Sequence, residues 1–345
     1  MTLTVYQQTK EYLKIHPSKW LVTGVSGFIG SNLLEELLKL NQEVVGLDNF
    51  STGFKQNLQD IEDNVSSVQW KRFTFLEGDI LDASLCVKAC QGVEFVLHQA
   101  ALGSVPRSIA DPINSNSSNV TGFLNMLVAA KDTNVKRFIY AASSSTYGDH
   151  PALPKKEDIT GKPLSPYAVT KLVNEIYADV FNHTYQLDSI GLRYFNVFGR
   201  RQAINSAYAA VIPEWVGSII DNQDVFINGD GSTSRDFTFI DNVVQANILS
   251  ATSKNPDAIN KIYNIAAGER TTLVELFQFI SKNIEAFEPR LKPKKPIFRD
   301  FREGDVKHSL ADISRAKLYL GYEPTHNVEQ GIEAAVTWYL KNFNA

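Results

Sequence analysis

Tyr167 and Lys171 stand four residues apart in the stretch Ser165-Pro166-Tyr167-Ala168-Val169-Thr170-Lys171. Ser-Pro suits the first turn of a helix, and the residues that follow have helical composition. Residues i and i+4 share a helix face, so a phenol and an ammonium would point the same way. A neighbouring ammonium favours the phenolate, so Lys171 is expected to lower the tyrosine pKa from its usual value of about 10. That would make Tyr167 an acid/base group usable near neutral pH. Alone, the pair is a common surface pattern. It becomes chemistry when the chain also supplies a cofactor and a substrate.

A cofactor site is written further upstream. Trp20-Leu21-Val22-Thr23 reads as a short apolar strand, Gly24-Val25-Ser26-Gly27-Phe28-Ile29-Gly30 as a glycine turn, and residues 31–40 as a helix with Leu33, Leu34, Leu37 and Leu38 on one side. Residues 43–47 form a second strand ending in Asp48. Strand, glycine turn, helix, strand and acid make the first unit of a dinucleotide fold. Gly24, Gly27 and Gly30 let the backbone approach a pyrophosphate seated at the helix N-terminus. Asp48 would bind the adenosine ribose hydroxyls and repel a 2′-phosphate, so NAD is the expected cofactor. No arginine follows at once; Asn49-Phe50-Ser51-Thr52-Gly53 comes instead. Asp79-Ile80 is expected to cradle adenine. Gln99, Ala100 and Ala101 are expected to lie along the dinucleotide.

These residues fall at the ends of strands that alternate with helices. Strands are expected at 73–76, 95–98, 138–142 and 190–193, with helices at 114–131 and from Tyr167 onward. That rhythm indicates a parallel sheet covered on both faces. Ser143-Ser144-Ser145-Thr146-Tyr147-Gly148 follows the fifth strand, and ligands sit at the carboxyl ends of such strands. A serine there would hydrogen-bond a reacting hydroxyl while Tyr167 removes its proton and hydride leaves for NAD. After Tyr194 the rhythm breaks. A helix is expected at 209–220, a strand at 235–240, a helix at 242–252 and a strand at 263–265. The basic run 292–296 reads as a solvated connection. The fold class is therefore α/β, a Rossmann-type doubly wound parallel sheet with a smaller mixed α/β substrate cap. The NAD-binding domain is expected at 20–194 with 236–265, the cap at 195–235 with 266–345, and residues 1–19 as an extension with a short helix ending before Pro17.

Composition narrows the classes. The chain has 345 residues and a net charge of −4, which argues against a general nucleic-acid binder. Cys86 and Cys90 suit two buried thiols in a reduced compartment, and no His/Cys cluster makes them a metal site. No apolar run approaches the roughly 20 residues of a membrane span, and residues 1–19 lack a signal-peptide core. The cytoplasm is the expected location.

The sequence resembles the extended short-chain dehydrogenase/reductase superfamily, and within it the UDP-hexose 4-epimerases. The resemblance covers nearly the whole chain after residue 19. It rests on the glycine turn, Asp48-Asn49, the serine run, Tyr167-x-x-x-Lys171, Leu192-Arg193-Tyr194-Phe195-Asn196-Val197-Phe198-Gly199, Arg235-Asp236-Phe237 and Arg302-Glu303-Gly304-Asp305. It implies that Tyr167 is the base, that Lys171 holds the nicotinamide ribose, and that Ser143 is the catalytic serine. It implies further cofactor contacts from Ser118, Tyr194 and Val197; Ser118 stands where relatives often have Asn. Asn196 would contact the diphosphate of a UDP-sugar, Arg235 and Arg302 would bind it, and Asp305 would hold the uridine ribose. Two arginines suit a pyrophosphate through bidentate hydrogen bonds. Asn228 is also expected at the substrate, and a homodimer is expected.

The implied reaction is redox-neutral 4-epimerisation through a transient 4-keto sugar. Ser309 stands where many galactose epimerases place a tyrosine, leaving room for a 2-acetamido group. Gly103-Ser104 and Ala210-Val211 also depart from those enzymes. With Ser143-Ser144-Ser145, they resemble the subgroup acting on UDP-N-acetylglucosamine and UDP-N-acetylgalactosamine. A 4,6-dehydratase or decarboxylase of this fold would carry acids where Ser144 and Ser145 stand. A uronate 4-epimerase would want a cation near C6, and the sequence places none. A non-catalytic NAD sensor would typically lack the tyrosine or the lysine.

Overall fold

The apolar runs become strands whose side chains alternate between two buried faces. In the computed structural model, which describes residues 3–203, 210–301 and 307–342, seven strands form one parallel sheet: β1 Lys19–Thr23, β2 Glu43–Asp48, β3 Phe73–Glu77, β4 Phe95–His98, β5 Arg137–Ser143, β6 Ser189–Tyr194 and β7 Lys261–Ile265. Their order across the sheet is 3-2-1-4-5-6-7. Trp20, Val22, Leu97 and Ile139 enter one core with Leu33, Leu34, Leu37 and Leu38 of helix Phe28–Lys39 and with Val243 and Ala246 of helix Ile240–Thr252. Leu21, Val96, Phe138 and Tyr140 enter the other, with Cys86 and Cys90, Phe123 and Met126, and Ala178 and Phe181. This period-two alternation is what a doubly covered sheet requires. Both thiols are free and buried, and burial pushes each up to about 12.

The strand order reverses between β1 and β4, and at such a switch point the loops leave in opposite directions and open a crevice. The carboxyl ends of the two strands are level there, with Thr23 opposite His98. Ser143 and Tyr194 end β5 and β6 side by side.

The expected helix at 114–131 is a compound element: Pro112–Asn116, a π turn at Ser117–Thr121, then Gly122–Asp132. Such a turn frequently marks a functional site. The expected strand at 235–240 is corrected to two short strands. Ser234–Arg235 pairs with Thr271–Thr272, and Thr238–Phe239 pairs with Val197–Phe198. The chain bends between them because Asp236 turns inward, fully buried. Its carboxylate accepts from the backbone N–H of Ala267 at 3.0 Å, Gly268 at 3.2 Å and Ala311 at 3.2 Å. Burial raises this carboxyl to about 7 despite those donors. The helix expected from 209 spans Val211–Ile220, residue 209 lying outside the described residues. The basic run 292–296 has no regular structure and leads into Ile297–Arg299, which pairs with Phe226–Asn228.

The N-terminal segment forms helix Val5–Ile15, with Thr4 and Gln7 capping each other. It buries Leu13 and packs on helix Ile240–Thr252. Among the described residues, no helix is long and apolar enough to cross a membrane.

Candidate active site

At the carboxyl ends of the strands lies a cavity of about 500 Å³. Gly24, Gly27, Phe28, Ile29 and Gly30 form one wall, and Asp48, Asn49, Ser51, Thr52, Asp79 and Ile80 another. Gln99, Ala100, Ala101, Gly103, Ser104 and Ser118 line the middle, and Ser143, Tyr167, Lys171, Tyr194, Asn196 and Val197 the far part. The sequence reading missed Leu47, Gly78, Leu102, Arg107, Ala141 and Ala142, which also line it. Most of these directly adjoin a residue it did name.

The glycine turn has a physical need for glycine at two of its three positions. Gly24 has φ +66°, and a Cβ there would stand 2.9 Å from the Ala100 nitrogen. A Cβ on Gly30 would stand 2.0 Å from the Gly24 carbonyl oxygen. Around Gly27 the space is open except for that same oxygen at 3.2 Å. The turn is thus packed against its own strand and open toward the cavity, as a bound pyrophosphate needs.

Asp48 organises the neighbouring loop. Its carboxylate accepts from the backbone N–H of Ser26 at 2.9 Å and of Phe50 at 2.7 Å. Each oxygen keeps lone-pair capacity for a ribose hydroxyl. Phe50 and Gly53 do not line the cavity. Phe50 bends the loop at φ +57°, and a Cβ on Gly53 would stand 2.2 Å from the Ser26 hydroxyl. Both shape the wall that Ser51 and Thr52 present. The Asn49 amide donates to Asp79 at 2.6 Å, joining the loops after β2 and β3. These residues fit a dinucleotide with an unphosphorylated ribose.

Tyr167 sits in the first turn of helix Pro166–Tyr185, where the Ser165 hydroxyl accepts from the Ala168 N–H at 3.1 Å. Its own N–H donates to the Ser108 hydroxyl at 3.0 Å. Lys171, one turn on, is buried, and its Nζ donates to the Ala141 carbonyl at 2.8 Å. Ser143 accepts from the Ser145 N–H and hydroxyl at 3.1 and 2.9 Å. The expected lowering of the tyrosine pKa is corrected: burial raises it, and a hydrogen bond with Ser143 pulls the other way. The Lys171 Nζ stands 6.0 Å from the ring centroid and is held by a backbone carbonyl. Burial also depresses Lys171 to about 8, with Glu175 opposing the shift.

Two supports were invisible as single letters. His98 is buried beneath the cavity, its Nδ1 2.9 Å from the Thr23 hydroxyl. Burial, aided by the Lys171 charge, lowers it to about 3, so it is neutral. In the π turn, the Asn119 side chain accepts from the Leu102 N–H at 2.7 Å and donates to the Leu102 carbonyl at 3.0 Å. It thereby fixes the loop that carries Gly103 and Ser104.

Not every candidate meets in the cavity. Ser144 opens a single 3-10 turn, Ser144–Tyr147, outside the lining. Arg235 and Ser309 stand on one ladder apart from it, where the Ser309 N–H donates to the Ser234 carbonyl at 3.0 Å and Arg235 donates to the Lys307 carbonyl at 3.2 Å. Asn228 is exposed at a strand end, Ala210 caps helix Val211–Ile220, and Val211 begins it. Arg302 and Asp305 lie outside the described residues.

The stretch that carries the glycine turn, the acid on β2 and the Tyr-Lys helix beside β5 falls within residues 20–266, which match the model of one family, described as the NAD dependent epimerase/dehydratase family. The chain belongs to that family. Among its relatives, a putative UDP-glucose 4-epimerase of Methanocaldococcus jannaschii is 35% identical over 94% of this chain and 99% of its own length. A UDP-glucuronate 4-epimerase of Thermodesulfobacterium geofontis is 34% identical over 94% and 96%. Among solved structures, the UDP-N-acetylglucosamine 4-epimerase of Methanobrevibacter ruminantium, in complex with UDP-N-acetylmuramic acid, superposes with a TM-score of 0.85. It is 36% identical, covering 94% of this chain and 99% of that one. NAD is the cofactor of this epimerase/dehydratase chain, in keeping with the Asp48 carboxylate in the cavity wall.

Proposed function

We propose that this family member is a UDP-sugar 4-epimerase acting on UDP-N-acetylhexosamines, converting UDP-GlcNAc to UDP-GalNAc, with UDP-Glc and UDP-Gal as further substrates. The observation that carries the reading is that Tyr167, Lys171 and Ser143 line the far part of the dinucleotide cavity together, with serines and no acid following Ser143 on the chain. Tyr167 takes the proton of the C4 hydroxyl, and Ser143 orients that hydroxyl by hydrogen bonding. Bound NAD would supply the hydride acceptor at C4 and the hydride donor for its return to the other face, and its positively charged ring would favour the phenolate. Lys171 holds the nicotinamide ribose. With serines at 144 and 145, no second acid/base pair drives elimination or decarboxylation. Arg235, Arg302, Asn196 and Asp305 hold the UDP, and residues 195–235 with 266–345 form the cap in which the keto sugar turns.

The acetylated substrate is supported by the name of the Methanobrevibacter neighbour and, from the sequence, by the small side chain of Ser309. One observation favours a second reading, a uronate 4-epimerase. Arg107 lines the cavity beside Ser104 and so supplies a cation that the sequence alone did not place. A homodimer through the outer face of helix Pro166–Tyr185 is supported by exposed Val169, Ile176 and Val180, with Ile113 alongside.

The test uses purified protein without added NAD, given UDP-GlcNAc, UDP-Glc or UDP-GlcA and followed by NMR. Epimer formation from UDP-GlcNAc is expected. Turnover of uronates alone would shift the assignment to the second reading, and no exchange with any of them would indicate an NAD-binding sensor. Ser309→Tyr should lose acetylated substrates and keep UDP-Glc; unchanged acetylated turnover would refute the steric argument.

A further inference from the structure

One helical turn beyond Lys171, buried Glu175 is gripped by buried Arg193 of β6, outside the cavity lining. Tyr167, Lys171 and Glu175 follow at i, i+4 and i+8 on the face of helix Pro166–Tyr185 that packs on β5 and β6. Arg193 Nε and one terminal nitrogen each donate to a different Glu175 oxygen at 2.8 Å, a bidentate fork. The other terminal nitrogen donates to the Glu157 carbonyl at 3.0 Å, and the guanidinium lies 4.7 Å over the Tyr147 ring. The carboxylate therefore has one orientation, and its charge stands at a fixed place below Lys171.

We infer that Glu175, clamped by Arg193, is a positioning residue whose fixed charge keeps Lys171 an ammonium beside Tyr167. This deepens the proposed function and rests on it for the role of Lys171. Lys171 is buried, and its Nζ has a neutral carbonyl partner, Ala141. Burial favours the free amine, and a nearby fixed carboxylate opposes this. The other titratable and charged groups on the elements around this helix do not supply that charge. His98 from β4 is neutral, Tyr140 from β5 keeps its proton because burial raises it well above its usual value, and burial likewise raises Tyr147 to about 12. Tyr167 on the same helix is a phenol with a raised pKa. Arg193 from β6 and Arg107 from helix Val105–Ala110 are cations.

The test reads Lys171 itself. In the full chain labelled at lysine Cε, the Lys171 titration is followed by NMR, assigned with Lys171→Arg, alongside the pH profile of turnover and thermal melts. Glu175→Gln should lower the Lys171 midpoint by about one pH unit. It should move the alkaline limb of the profile down with it, because activity needs the ammonium. Glu175→Asp should restore most of both. If Arg193 left unpaired unfolds Glu175→Gln, the double variant Glu175→Gln/Arg193→Met should show a smaller shift of the same sign, because the more distant opposing cation is removed with the carboxylate. A folded variant without the carboxylate, but with an unchanged Lys171 midpoint, overturns the inference. A shifted midpoint without UDP-sugar turnover in the parent protein upholds the charge coupling and refutes the epimerase reading.

Discussion

Alanine at Gly27 and at Gly30 should fail in opposite ways. At Gly30 the added Cβ would stand 2.0 Å from the Gly24 oxygen, 2.7 Å from its carbonyl carbon and 2.9 Å from the Val25 Cα. All three are backbone atoms, and ordinary contact begins near 3.4 Å. The turn would have to move by about 1 Å to relieve the overlap. It cannot move freely, because the Gly24 N–H is bonded to the Leu47 carbonyl at 2.8 Å. Overpacking of this kind costs about 1–3 kcal/mol, so NAD-stripped Gly30→Ala should melt several degrees below the parent, at roughly 2–4 °C per kcal/mol. Gly27 has φ −78°, which alanine adopts, and its Cβ meets one atom at 3.2 Å. Stability of Gly27→Ala should stay within about 0.5 kcal/mol. Its methyl group, however, projects where the pyrophosphate must approach, so NAD affinity should fall at least about tenfold, which is about 1.4 kcal/mol. Bound nucleotide released by denaturation and measured by chromatography, with melts of the stripped proteins, separates the two effects. Wild-type NAD content in Gly27→Ala, or an unchanged melt in Gly30→Ala, would refute this account of the turn.

Three further outcomes follow from the geometry. Tyr167→Phe should lose about 10²–10⁴ in turnover of the UDP-sugar while keeping its NAD, and full activity would sink the proton-transfer role. Glu35 is buried, which by itself raises its pKa, but Arg201 at 2.7 Å, Lys39 and Arg200 lower it from 4.5 to about 2. Its stabilising contribution is complete above about pH 4.5 and is lost as pH falls through about 2, worth about 3 kcal/mol. Glu35→Gln should therefore be less stable at neutral pH and lose less between pH 4.5 and 2; parallel melting curves would contradict this. Ile176→Glu on the exposed helix face should yield monomers in sedimentation if that face joins two copies, and an unchanged mass would refute that interface.

Much of the cofactor site was legible because it is local. The glycine turn joins a strand to the helix that follows it, and Asp48 reaches back only to the backbone of Ser26. The Tyr167–Lys171 pair was likewise fixed by helical spacing. The electrostatics of that pair were not. The sequence puts the two side chains on one face, but it cannot say that Lys171 donates to the Ala141 carbonyl or that burial raises the tyrosine. The bend at Asp236 was misread for a similar reason. Arg235 to Ile240 alternates as a strand should, but three backbone N–H groups from residues 267, 268 and 311 draw the carboxylate inward and break the strand.

The sequence by itself determined the sheet, its two covered faces, the dinucleotide turn and the helix that carries Tyr167. Periodicity, glycine placement and capping act over a few residues and are written in order along the chain. Only the tertiary structure decided how charged the site is and what surrounds it. Arg193 meets Glu175 and Arg107 enters the cavity wall because strands and helices distant in sequence converge there. Whether Lys171 carries a proton depends on that convergence, since burial and a fixed carboxylate act through space.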